Sequence, residues 1–270
     1  MVNKVDNFSL RSKELFVDDF CQRFPWIGGD LQTLRDTFVK EDLSLNYGER
    51  LLIPIPEGPR GFCSSGFLMG FLNKPKDIFL TKGVVLILHG LGGSSNRQGL
   101  KRISESLLKD NFCILRLNLR GAYPGRLLAS GTYSAMCNSD IYPVISKIKE
   151  IATKISKTIN KPVPLFGVGI SLGGTILLNA CIHRNKEDIY LDGLACLSSP
   201  LDLSICSKSI ERPRNRIYQK WLLQRLIKQT IADPFGIREE EKLSLINYKS
   251  FRNSDINSIR DFDSLITAPR

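Results

Sequence analysis

The rhythm of apolar positions changes several times along the chain, and each change marks an element. Arg50–Pro54 and Gly66–Phe71 read as two early strands with Pro and Gly between them. Gly83–Leu88 is a continuous apolar run that ends in a Gly-rich loop. Gln98–Lys109 carries Leu100, Ile103, Leu107 and Leu108 at helical spacing. Phe112–Asn118 reads as a buried strand. Asp140–Ile159 reads as a helix with Val144, Ile145, Ile148 and Ile151 on one face. Pro164–Ile170, Leu172–His183 and Leu191–Leu197 continue the alternation as strand, helix and strand. Apolar strands that alternate with helices predict βαβ units and a mostly parallel sheet with helices on both faces. Right-handed crossovers then bring functional loops to the carboxyl ends of the strands.

The rhythm stops at Pro200. Residues 201–270 are polar, basic and helical in pattern, with Trp221, Leu222, Leu226 and Ile227 among the apolar positions. Before the first strand, residues 1–45 are mixed, with a short amphipathic piece at Leu31–Leu34. The expected organisation is a core over residues 1–200 with an N-terminal extension, and a helical cap region over residues 201–270.

Composition narrows the function classes. An apolar fraction of 42% with 24% charged residues excludes a disordered or collagen-like chain. The 38 Lys+Arg against 27 Asp+Glu give a formal charge of +11. The surplus concentrates between Lys208 and Lys228, where seven basic residues face one acid, Glu211. That stripe reads as a solvated helix face or as a contact for phosphates or anionic lipid. No RNA-binding motif accompanies it, so nucleic acid is not the expected partner. The seven cysteines form no CxxC pair, and three of them lie in apolar runs. Reduced thiols are expected rather than a disulfide framework or a metal site. The acidic, interrupted N-terminus is not a signal peptide, and no apolar run reaches the roughly 20 residues of a membrane span. A cytoplasmic protein without cofactor is therefore expected, with peripheral membrane contact left open.

The sharpest motif is Gly169-Ile170-Ser171-Leu172-Gly173-Gly174, between an apolar strand and an apolar helix. G-x-S-x-G in that context is a nucleophile elbow. The serine sits on a tight turn, and Gly169, Gly173 and Gly174 lack the Cβ atoms that would block it. The Leu172 N–H, at a helix N-terminus, suits a developing oxyanion. The plainer reading is a Gly-rich turn of an unrelated α/β protein. The second motif is His89-Gly90-Leu91-Gly92-Gly93-Ser94-Ser95, after the Gly83–Leu88 strand. It is neither a P-loop nor a dinucleotide fingerprint. Leu91 would donate the second oxyanion N–H. His89 is expected to hold the loop, with Gly90, rather than to act as a base. The third, Asn118-Leu119-Arg120-Gly121, reads equally as a plain turn or as a loop beside the cleft.

Taken in order, these motifs resemble the YheT-type branch of the α/β-hydrolases, which includes esterases and acylglycerol lipases. Asn96 and Asn179 extend two of the matches. Leu31–Leu34 is similar to that branch's H-L-Q-T-L segment, with Asp30 in place of the histidine. Phe262–Pro269 is similar to its F-D-x-x-x-T-A-P segment. The resemblance covers about residues 15–270. It implies an α/β-hydrolase fold with a helical cap, and a Ser–acid–His triad that cleaves carboxylic esters of acyl or monoacylglycerol type. Ser171 maps to the nucleophile, with Leu91 and Leu172 as oxyanion donors. Tyr133-Ser134-Ala135 stands where the branch has Tyr-His-Ser.

The branch continues past this point into two more strands that carry the acid and the histidine, whereas the sequence stops at Arg270. A truncated chain with the last strands missing is therefore expected, with hydrolysis weak or lost. His183 lies twelve residues beyond Ser171, roughly 18 Å along a helix. Asp202 is a conceivable acid, but an acid without an imidazole does not activate serine. Leu191–Leu197 would then be an exposed sheet edge prone to pairing with another chain. The alternative is a non-catalytic interaction protein that keeps the hydrolase scaffold.

Overall fold

The computed structural model describes residues 19–43, 45, 48–58, 64–182, 191–239, 241, 245 and 256–268. His183 and Cys63 lie outside them. The chain divides into two compact units, Met1–Glu41 and Asp42–Arg270. In the first, helix α1 (Gly29–Phe38) includes the Leu31–Leu34 piece, and Phe38 stacks on Trp26 with ring centroids 6.4 Å apart.

The second unit is built on a six-stranded sheet. Its strands are β1 (Glu49–Ile55), β2 (Gly66–Asn73), β3 (Gly83–Leu88), β4 (Phe112–Leu117), β5 (Leu165–Ile170) and β6 (Gly193–Leu197). Their spatial order is β1-β2-β4-β3-β5-β6. β1 and β2 are antiparallel to each other, and β2 to β4, while β4, β3, β5 and β6 run parallel. Every residue of β3 is buried, as a central parallel strand covered on both faces must be.

Helix α2 (Gln98–Lys109) covers one face: Leu100 packs with Val85, Ile87 and Ile114. Helices α3 (Asn138–Ile159) and α4 (Leu172–Ile182) cover the other, with Ile141, Val144, Ile145, Ile148 and Ile176 against Val84, Leu86 and Leu88. The apolar spacing read from the sequence is therefore the packed face of α3. α3 begins two residues earlier than the apolar spacing indicates and accommodates Pro143 near its start. This is the α/β-hydrolase fold, with a mostly parallel sheet and helices on both faces.

The Leu191–Leu197 run lies at the exposed sheet edge expected for it: β6 starts at Gly193, ends the strand order, and its last three residues are exposed. Beyond it, α5 (Leu203–Ile210) buries none of its residues, and α6 (Arg216–Ile231) buries only Leu223, Leu226, Ile227 and Thr230. Its three buried apolar residues, Leu223, Leu226 and Ile227, join Leu245, Ile256, Phe262 and Ile266 in a separate small core. The six described cysteines are free thiols. Among the described residues no helix is long and apolar enough to cross a membrane.

Strand order positions the site. The chain leaves β3 for β4 on one side and returns to β5 on the other. The carboxyl ends of β3 and β5 therefore flank a reversal of direction, where open α/β sheets bind ligands. The register pairs Leu88 with Gly169, which sets the His89 loop beside Ser171.

Candidate active site

Ser171 joins β5 to α4 with φ +52°, a left-handed conformation that a non-glycine residue holds only under constraint from its surroundings. The constraints are visible. The Ser171 N–H donates to Leu197 O at 2.8 Å, and Ser171 O accepts from Gly174 N at 3.0 Å. A Cβ on Gly169 would lie 2.2 Å from Gly174 Cα, and one on Gly174 would lie 1.9 Å from Ser199 Oγ. The absent side chains let strand and helix approach until the turn closes. Leu172 opens α4, so its N–H is among those that a helix leaves without an internal partner.

The loop after β3 lies directly against the serine. A Cβ on Gly90 would sit 2.8 Å from Ser171 Cβ and 3.4 Å from its Oγ. Three donors converge on Gly90 O: His89 Nδ1 at 2.9 Å, Tyr133 Oη at 3.0 Å and Gly93 N at 3.0 Å. The Gly90 carbonyl and the Leu91 N–H belong to one planar trans peptide and point in opposite directions. Holding the carbonyl on one side therefore turns the Leu91 N–H to the other. The Tyr133 hydroxyl also accepts from Gly92 N at 2.8 Å, so one phenol clamps the loop at two points.

His89 is fully buried, and both its ring nitrogens are engaged. The Leu119 N–H can only donate, so Nε2 accepts from it at 3.2 Å and the proton resides on Nδ1, which donates to Gly90 O. Burial lowers its pKa to about 4, opposed by the bond to Gly90 and reinforced by the Arg97 charge. A neutral imidazole with no free nitrogen is a brace. Burial likewise raises the Tyr133 phenol well above its ordinary range.

The Asn118–Gly121 loop is consumed by structure. Asn118 accepts from Ser95 N at 2.9 Å and donates to Met69 O at 3.1 Å. Arg120 is buried with Asp140 in a two-pronged ion pair at 2.8 and 2.7 Å. It also donates to the carbonyls of Pro56, Ser64 and Ser130. Its fork is thereby filled. Asp202 is occupied too, capping α5 by accepting from Ile205 N at 2.8 Å.

Sequence reasoning singled out Ser171, Leu91, Leu172, His89, Gly90, Gly169, Gly173 and Gly174, and the fold gathers them at the β3 and β5 ends. It missed the part played by Tyr133, which reaches the loop across 43 residues. Arg97 and Arg225 were missed as well. The first donates to Gly92 O at 3.3 Å; the second lies against Gly92 from α6. The Tyr133 and Arg225 contacts span tens of residues, a range no local pattern signals.

No protein-family model matches the chain. An abhydrolase domain-containing protein of Dictyostelium discoideum is 28% identical over 68% of the chain and 44% of its own length. The Escherichia coli putative esterase YheT is 29% identical over 68% of the chain and 50% of its own length. The yeast medium-chain fatty acid ethyl ester synthase/esterase 2 is 26% identical over 55% of the chain and 30% of its own length. These matches support the YheT-like α/β-hydrolase family. The chain spans about half the length, or less, of these curated relatives. A Pyrococcus furiosus esterase structure is similar at a TM-score of 0.46 and 17% identity, over 68% of each chain. The YheT-like assignment thus rests on the curated relatives, and the fold on strand order and register within this chain.

Proposed function

We propose that the chain is a serine hydrolase of carboxylic esters, with Ser171 as nucleophile and the N–H groups of Leu91 and Leu172 as oxyanion donors. The observation that carries this reading is the triple anchoring of Gly90 O beside a serine at φ +52°. On this reading the Leu91 N–H of the β3 loop and the Leu172 N–H at the α4 N-terminus would serve the oxyanion formed at that hydroxyl. The names of the YheT-like relatives, esterases among them, point the same way. The substrates would be small acyl esters, monoacylglycerol-type esters included.

In the reaction Ser171 Oγ attacks the acyl carbonyl, and the alcohol leaves with a proton. Water then releases the acid from the acyl-serine. An imidazole normally takes and returns that proton. His89 is locked and neutral, so it cannot serve as that imidazole. Among the described residues no imidazole is free to take the proton, so we propose that they alone support only slow acylation, far below that of an intact triad.

A fluorophosphonate probe together with p-nitrophenyl butyrate tests this. Labelling that vanishes in Ser171→Ala, with slow ester release, is the expected result. Labelling or turnover unchanged by Ser171→Ala overturns the assignment. The second reading, a non-catalytic module for an anionic partner, is favoured by one observation. Lys208, Arg212, Arg214, Arg216 and Lys220 are all exposed on α5, α6 and their connection. Pull-downs lost on charge reversal of Arg212, Arg214 and Arg216, with no Ser171 labelling, would favour it.

A further inference from the structure

Two arginines converge on the loop beside Ser171, from elements far apart in sequence. Arg97 precedes α2, and its Nη2 donates to Gly92 O at 3.3 Å. It is close enough to His89 for its charge to act on that ring. Arg225 comes from α6, and its Nε is 3.6 Å from where a Cβ on Gly92 would stand. Both side chains are half-buried, and among the described residues neither forms an ion pair with a carboxylate.

Their placement is built. Leu91 packs both on the main core and on the small core of Leu223, Leu226 and Ile227, so α6 sits on the loop itself. The end of α6 is gripped by Arg126, which donates to the carbonyls of Ala232 at 2.9 Å and of Gln229, and to Gly121 O at 2.8 Å. Gln229 returns a bond to Gly121 O at 2.8 Å. The Arg225 guanidinium lies over the Trp221 ring at 4.6 Å, which orients the planar fork and leaves its N–H edge available.

We propose that Arg97 and Arg225 form an anion-recognition pair beside Ser171. The pair selects esters that carry a carboxylate or phosphate within a few bonds of the acyl carbonyl. A planar guanidinium matches either anion through two parallel N–H bonds. The substrate class rests on the reading of Ser171 as the nucleophile; the binding of the anion does not.

The test is therefore a titration that needs no turnover. Ser171→Ala protein is titrated calorimetrically with two matched pairs: monomethyl against dimethyl succinate, and 1-butyrylglycerol 3-phosphate against 1-butyrylglycerol. The expected result is at least about tenfold tighter binding of the charged member in one pair, which names the anion. That preference falls below about threefold when Arg225→Gln is added, and persists when Arg212→Gln and Arg214→Gln are added instead. Arg225 makes no hydrogen bond among the described residues, so Arg225→Gln removes only its contacts with Trp221 and Gly92, and unchanged circular dichroism and melting confirm that the variant is folded even if Arg97→Gln is not. No preference in either pair overturns the proposal. So does a preference indifferent to Arg225, or one lost equally with Arg212 and Arg214. Retained preference without fluorophosphonate labelling of wild-type Ser171 overturns the hydrolase reading and leaves the anion pair standing.

Discussion

Strands β3 and β6 are both short, apolar and opened by glycine, yet they have opposite fates. β3, Gly83–Leu88, is buried along its whole length between β4 and β5. β6, Gly193–Leu197, pairs with β5 alone among the described residues and ends in three exposed residues. Leu86 is 0% exposed and Leu197 is 44% exposed. The difference teaches that composition marks a segment as strand, while its place in the sheet decides what the strand is worth. It also explains where the site sits. The centre is rigid enough to hold a serine at positive φ and a histidine without solvent, whereas the edge supplies one backbone acceptor, Leu197 O, to the elbow.

The largest test of this contrast lies at the buried ion pair near the central strands. Arg120→Met strands Asp140 without its partner and should cost about 3–5 kcal/mol in urea melts. A cost under about 1 kcal/mol would show that the centre is less constrained than its hydrogen bonds imply. Next come the two leucines. Leu86→Ala is expected to lose about 2–5 kcal/mol, and Leu197→Ala no more than about 1 kcal/mol. Equal losses would erase the distinction between centre and edge.

Acid tests the centre through His89. The unfolded imidazole takes a proton near pH 6.5, while the folded one resists until about pH 4. Between those values the unfolded state binds more protons, so stability falls as pH drops from 6.5 to 4. The loss reaches roughly 3 kcal/mol at the lower end. Denaturant melts across that window measure it, and a flat profile would mean that water or a relaxed loop reaches the ring. The smallest effect belongs to the edge. Leu197→Lys should leave the melting midpoint within about 0.5 kcal/mol while reducing concentration-dependent association in sedimentation. A large destabilisation would place Leu197 in a core.

Much of this was legible along the chain. The strand–helix alternation, the α3 face and the G-x-S-x-G turn are short-range signals, each written within one or two turns of chain. The exposed edge at Leu191–Leu197 was legible only through the family resemblance, because an apolar run by itself looks alike at the centre and at the rim. The Asn118–Gly121 loop read equally as turn or cleft. Its role as a brace depends on Asp140, Met69 and Ser95, which lie up to 49 residues away. Tyr133 stood out only for a neighbour it lacks, yet its hydroxyl holds the loop beside Ser171.

The sequence by itself determined which residues could form the elbow and its companion loop. Positive φ at a serine flanked by glycines, and an apolar period of two or 3.6, are properties of neighbouring residues. Only the tertiary structure decided the strand order, the locked state of His89, and the meeting of Arg97 and Arg225 at Gly92. These follow from packing between elements separated by tens of residues, where burial and Coulomb interactions act on distance in space and carry no trace in local pattern.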